Sequence, residues 1–368
     1  MNVGLGLYRH MLTEDNLRFA KQAGATHIVA HLVDYFGGGP RIPTSVSRHS
    51  GWGPTHRAGL PWTLDEIERV KALVEGQGLV LHAVENFDPG HWHDVLLDGP
   101  RRDEQLDQIL ESIRLVGQAG IPNIGYNFSL AGVWGHTAEP LARGGAESIG
   151  FDQEALGEQP EIPCGQVWNM DFAEVDGEET IGAVSADALW SRLERFLAAA
   201  VPVAEAAGVR LCAHPEDPPA PVLRNTARVL TSEAALQRLV DMVPSRHNAL
   251  EFCQGTVSEM PDLDIYEVIA SFARQSRIGY VHFRNVVGRV PKYHEVFLDE
   301  GYVDMFRALR TYADNGYDGV FIPDHTPQMT CAAPWHAGMA YALGWMKAAM
   351  RAVEDSRISR RVDSWVQD

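Results

Sequence analysis

Eight short apolar runs recur along the 368-residue chain, each followed by an amphipathic stretch; the loops that leave the runs are long, and those that return are short. This pattern predicts a (β/α)8 TIM barrel, with buried parallel strands ringed by helices and one face built from the strand-to-helix loops. Composition agrees. With 45% hydrophobic and 22% charged residues the chain is an ordinary globular one, and barrels of this length form one unit. Residues 1–368 therefore read as a single barrel domain.

In order, the predicted strands are VGLGLY from Val3, HIVAHL from His27, LVLHAV from Leu79, NIGYNF from Asn123, RLCAHP from Arg210, ALEFC from Ala249, IGYVHFR from Ile278 and GVFIPD from Gly319. A helical period follows each; in the stretch from Ser185, Leu189, Leu193, Phe196 and Leu197 share one face. Glycines just past the last turns, in AGA, GQG, AGI, AAG and NGY, mark caps that need left-handed backbone. The long strand-to-helix loops are 33–61, 86–100, 129–185 and 285–300. The longest, 129–185, is expected to be a lid-like insertion after strand four that folds over the barrel mouth.

A net charge of −18 argues against nucleic acid or an anionic membrane as partner. No apolar run approaches the ~20 residues of a membrane span. The four cysteines, Cys164, Cys212, Cys253 and Cys331, form no CxxC and no disulfide framework, and no signal-peptide pattern opens the chain. A cytoplasmic location is the expectation.

The chemistry gathers at strand ends. His214, Cys253, His282 and Asp324 close strands five to eight, so four consecutive strands would bring a ligand-type side chain to one rim. Taken singly, each has a structural reading, as a loop or helix cap or a core residue. Together, two imidazoles, a thiolate and a carboxylate suit a first-row divalent ion better than magnesium. Arg284 and Asn285 follow His282; the guanidinium is suited to clasp a carboxylate. His325 follows Asp324 and is suited to proton transfer, and the adjacent cation is expected to keep its ring neutral. Tyr126 and Asn127 end strand four as hydrogen-bonding groups, and Arg9 stands at the mouth of strand one. Glu85 ends strand three as a substrate contact or an ion-pair partner. FGGGPR from Phe36 reads as a flexible turn, and HWH from His91 to His93 as incidental.

The segments GQAGIPNIGYNFS, AEAAGVRLCAHPEDPP, LEFCQGTVSEM, VHFRNV and NGYDGVFIPDH together resemble the mannonate dehydratases, whose barrel belongs to the xylose-isomerase-like group. The resemblance runs from about Gly117 to the C-terminus. It implies manganese, with other divalent transition metals as alternatives, held by His214, Cys253, His282 and Asp324. It also implies a catalytic His325, with Arg284 and Asn285 on the substrate. The implied reaction removes water from D-mannonate to give 2-keto-3-deoxy-D-gluconate, within hexuronate catabolism. The implied partner is a small-molecule sugar acid, and a homo-oligomer is the expected assembly. Where the family carries a tyrosine about a dozen residues after PDH, the nearest register here offers His336, with Tyr341 beyond it. AVENFDPGHW in strand three and the early loop depart from the family, which leaves open a sugar isomerase or epimerase, or a non-catalytic sugar-acid binder, on the same metal site.

Overall fold

The structure, a computed structural model, describes residues 1–35, 53–54, 61–173 and 179–365. All eight predicted strands form: β1 Asn2–Leu7, β2 His27–His31, β3 Val80–Glu85, β4 Asn123–Tyr126, β5 Arg210–Ala213, β6 Asn248–Cys253, β7 Ile278–His282 and β8 Val320–Ile322. They pair in parallel in sequence order, and β8 closes the barrel on β1 through Asn2↔Val320 and Val3↔Phe321. The (β/α)8 barrel is therefore the observed fold.

Caps set the helix ends as the local chemistry requires. Helix α1, Glu14–Ala23, starts where the Thr13 hydroxyl accepts from the Asn16 amide, and stops at Gly24 with φ 103°. After Leu64–Gly76 (α2), Pro89–Leu97 (α3) and Arg102–Gln118 (α4) comes α5, Ala186–Ala207, which begins at Ser185 and ends at Gly208 with φ 70°. Its Leu189, Leu193, Phe196 and Leu197 are all buried against the barrel, as their spacing predicts.

The strands have two kinds of face. One packs on the helices and carries the large core; the other fills the barrel with Val29, Ala83, Cys212, Ala249, Tyr280, Val320 and Ile322. Because side chains alternate, the inward phase continues upward from Cys212 to His214, from Glu251 to Cys253, and from Tyr280 to His282. The same period sends Tyr126 outward. Its ring packs on Phe196 and Trp92, with centroids 5.3 and 6.4 Å away.

Two excursions leave the mouth of the barrel. Thr137–Ala142 and Ala146–Asp152, from the insertion after β4, join Asn285–Arg289 and Lys292–Val296, from the loop after β7, in one antiparallel four-stranded sheet. Residues of 129–185 also line both cavities described below. Most of the 33–61 loop, FGGGPR included, lies outside the described residues. Among the described residues no helix is long and apolar enough to cross a membrane.

Candidate metal centre and active site

His214, Cys253 and His282 each bring one ligand-type atom into a group whose members all lie within 4.8 Å of one another. They come from the ends of β5, β6 and β7, where register pairs Cys253 with His282. Asp324 stands beside them, its Oδ2 3.4 Å from His282 Nδ1. Strand β8 stops at Ile322, and Asp324 takes φ 61°, a left-handed conformation that is uncommon for a residue with a side chain. This turn breaks the alternation, so Asp324 and His325 both face the cavity rather than opposite sides.

The donor set fits a bound cation. His214 Nδ1 meets the Pro215 carbonyl, which leaves Nε2 as the ligating nitrogen. His282 Nδ1 is buried with no aligned hydrogen-bond partner among the described residues. Burial alone would push the Cys253 thiol up, but Arg284 and His214 reverse this and bring it down to about 5, so the thiolate form is favoured. The same pair works on the imidazole: burial pulls His214 down, and the Cys253 charge more than offsets it, to about 9. For Asp324 too, burial is outweighed, here by His325 and His282, and the carboxyl is held well below the usual range.

His325 lies in the same cavity. Its Nδ1 is 3.1 Å from Glu295 Oε1, and its Nε2 is 3.5 Å from Asp324 Oδ1. The protein's own charges, with no ion counted, act against the neutral ring that an adjacent cation would favour. Burial lowers its pKa, but Asp324 and Glu295 raise it to about 9, because two carboxylates flank the imidazole. The cavity is lined further by Tyr8, His31, Glu85, Asn86 and Asn127. A smaller cavity on the other side of His325 shares Tyr8 and Asp324 with the first. There Ser148 Oγ, Thr326 Oγ1 and Gln328 Oε1 are buried with no hydrogen-bond partner among the described residues.

Several expected substrate contacts are placed elsewhere. Arg284 is buried beneath the site, not open to it. Its Nη2 is 2.7 Å from Asp217 Oδ2 and 3.4 Å from Glu259 Oε1, and its Nη1 pairs with Glu295. Nη2 also reaches Cys253 Sγ at 3.5 Å. With both Nη atoms so engaged, and Nε buried 3.8 Å from Asp324 Oδ2, the guanidinium stands as a counter-charge to the thiolate and the carboxylates, and its Nη atoms are not presented to a ligand in the cavity. Replacement of Arg284 by methionine is expected to cost about 3–5 kcal/mol of stability, since it strands buried carboxylates. Urea unfolding with an unchanged midpoint would refute that role. Asn285 points away because it is one residue out of phase with Arg284; its amide donates to the Leu298 and Val303 carbonyls and ties down the following loop. Tyr126 faces the helices, as above. Arg9 pairs with Glu66 at 2.8 Å, and His336 meets Asn16 Oδ1 at 3.1 Å beside Phe19, so neither lines the cavities. Asn127, in phase with Gly125, does line the first, and donates to Asn86 Oδ1 at 2.7 Å.

A closed barrel with a His–Cys–His group at the C-terminal mouth of its strands defines a (β/α)8 protein of the kind that builds its site from strand ends. The family model for D-mannonate dehydratase (UxuA) matches residues 15–352, and the chain belongs to that family of hydro-lyases. Mannonate dehydratase of Streptococcus pneumoniae (strain 70585) is 29% identical over 280 residues, covering 73% of this chain and 75% of the relative. The enzyme of Lactococcus lactis subsp. cremoris (strain MG1363) is 30% identical over 288 residues, covering 73% and 79%. The crystal structure of mannonate dehydratase from Streptococcus suis serotype 2 superposes with a TM-score of 0.77 at 24% identity, over 97% of this chain and 94% of that one. An L-ribulose 3-epimerase shares the fold more distantly, with a TM-score of 0.54 at 16% identity over 99% and 98% of the two chains.

Proposed function

We propose that the chain dehydrates D-mannonate to 2-keto-3-deoxy-D-gluconate with a divalent transition metal, manganese first among the candidates. The observation that carries this reading is the convergence of His214, His282, Asp324 and His325 in one cavity, with Cys253 grouped against the two histidines, in a D-mannonate dehydratase family member. A thiolate with two imidazoles disfavours magnesium. When bound, the ion supplies Lewis acidity toward the substrate carboxylate or its neighbouring hydroxyl, which makes the proton on C2 more acidic.

The chain's own residues do the rest. Glu295 holds His325 by Nδ1, and Nε2, 3.5 Å from Asp324 Oδ1 on the ligand side, gives or takes the proton of the elimination. The C2 proton and the C3 hydroxyl leave as water, and the resulting enol becomes the 2-ketone by taking a proton at C3. Arg284 keeps Cys253 ionised from below. Asn127, Ser148, Thr326 and Gln328 offer hydrogen bonds to the hydroxyls of a sugar acid, and the unpaired oxygens of the last three favour a polar occupant.

A panel of C5 and C6 sugar acids, assayed for 2-keto-3-deoxy products with manganese and other divalent ions, tests the proposal. The expected result is highest turnover on D-mannonate, abolished by a chelator and restored by manganese. An epimer that keeps every hydroxyl, formed without a deoxy product, would contradict it.

A further inference from the structure

Beneath the ligand group, inside the barrel, lies a second set of polar side chains that the reaction does not use. Glu251 on β6 and Glu85 on β3 approach each other across the axis. Both are buried, with 0% and 5% exposure. The Tyr280 hydroxyl lies between them, 2.6 Å from Glu251 Oε2 and 3.2 Å from Glu85 Oε2. Above them, His282 Nε2 is 3.0 Å from Glu251 Oε1 and 3.4 Å from Glu85 Oε2. Neither His282 Nε2 nor Glu251 Oε1 makes an aligned hydrogen bond among the described residues, to each other or to a third group. Glu251 Oε1 is nonetheless the nearer carboxylate oxygen to Nε2, at 3.0 Å against 3.4 Å for Glu85, and His214 Nε2 lies 4.0 Å from that same oxygen. The opposite ring nitrogen, Nδ1, is the one beside Asp324.

Room for this arrangement comes from β4. A Cβ built on Gly125 would collide with the Tyr280 hydroxyl and Glu251 Oε2, and would stand 3.0 Å from Glu85 Cγ. The absent side chain at Gly125 is therefore the space that Glu251 and Tyr280 occupy.

We propose that Glu251, locked by Tyr280 in the space left by Gly125, is the positioning residue that fixes the ring of His282 as a metal ligand. The inference rests on the metal reading of the site. An imidazole that ligates through one nitrogen needs an acceptor for the N–H of the other, and a carboxylate there sets both tautomer and ring plane. Glu251 is tied in turn by the tyrosine hydroxyl. With Oε2 engaged by Tyr280, only Oε1 remains to meet the ring. Glu85 supports the same nitrogen from the opposite wall of the barrel.

The test is titration of the full-length protein, stripped with chelator, with Co2+. The thiolate-to-cobalt absorption reports Cys253, and the ligand-field bands report the geometry around the ion. Wild type is expected to bind one ion per chain. Glu251→Gln keeps shape and volume; it is expected to bind ~10–100-fold more weakly, with shifted ligand-field bands and the thiolate absorption retained. Tyr280→Phe should fall toward the lower end of that range, ~10-fold. The melting temperature of the stripped variants should stay that of stripped wild type. Unchanged affinity in both variants, with wild type binding normally, overturns the inference and leaves the metal reading standing. A second ion per chain that is lost with Glu251 also overturns it, because the glutamate would then be a ligand itself. Wild type that binds no Co2+ overturns the metal reading and this inference with it. If Glu251→Gln lowers the melting temperature, Tyr280→Phe decides: normal melting with weakened binding supports positioning, and normal melting with normal binding refutes it.

Discussion

Cys253→Ser is expected to empty the centre of its ion at concentrations that saturate the wild type. A serine hydroxyl stays protonated near neutrality and is a far poorer ligand for a transition metal than a thiolate. The environment sharpens the contrast. Arg284 and His214 bring the Cys253 thiol down to about 5 against the cost of burial, so wild type offers a preformed anion, where serine offers a neutral oxygen to the same two cations. The loss in affinity should exceed the ~10–100-fold that follows from removing an outer partner of a ligand. Metal analysis after gel filtration, with circular dichroism as a check on folding, reads the effect. A serine variant that keeps one tightly held ion would remove Cys253 from the ligand set.

His325→Asn is expected to lower turnover by ~10²–10⁴-fold, the usual contribution of a general acid or base, while metal content holds. Asparagine can occupy the imidazole's place and accept or donate near Glu295, but it cannot carry a proton through the step. His325 is set apart by its partners: its Nδ1 meets Glu295 at 3.1 Å and its Nε2 stands 3.5 Å from Asp324 Oδ1, whereas Asp324 lies against the ligand His282 at 3.4 Å. A fully active His325→Asn variant on D-mannonate would end its role in proton transfer, and an inactive variant that had also lost its ion would move it into the metal site.

The barrel was legible because a parallel strand buried on both faces leaves a continuous apolar run, and all eight runs formed strands. The convergence of His214, Cys253 and His282 was legible for a related reason: a strand that ends in His, Cys or His at the inward phase can deliver the side chain only to the mouth. Phase also explains the residues that went elsewhere. Tyr126 and Asn285 are neighbours of inward residues and therefore face outward, which counting along NIGYNF and YVHFRN in twos would have revealed. His325 needed the opposite correction, since only the left-handed turn at Asp324 brings two successive side chains to one cavity.

Arg284 was not legible as a buried counter-ion. Its partners Asp217, Glu259 and Glu295 come from a loop, a short helix and the strand Lys292–Val296, and nothing in their spacing brings them together. Glu251 and Glu85 left a fainter trace. A glutamate inside ALEFC or at the end of LVLHAVE, in strands with no solvent face, can lie only in the barrel interior or against the helices, and the interior is where buried carboxylates find Tyr280 and His282. The long strand-to-helix loop at 129–185 was legible as a loop by its length; its sheet partners, Asn285–Arg289 and Lys292–Val296, did not follow from the pattern.

The most direct test of the account is the reaction of manganese-loaded protein with D-mannonate in deuterated water, followed by nuclear magnetic resonance. The account predicts 2-keto-3-deoxy-D-gluconate carrying one solvent deuteron at C3, because the enol left by loss of the C2 proton and the C3 hydroxyl is protonated there. A six-carbon acid that retains its C3 hydroxyl and carries deuterium at C2 would identify an epimerase and contradict it, as would the absence of any turnover by protein with its metal centre filled.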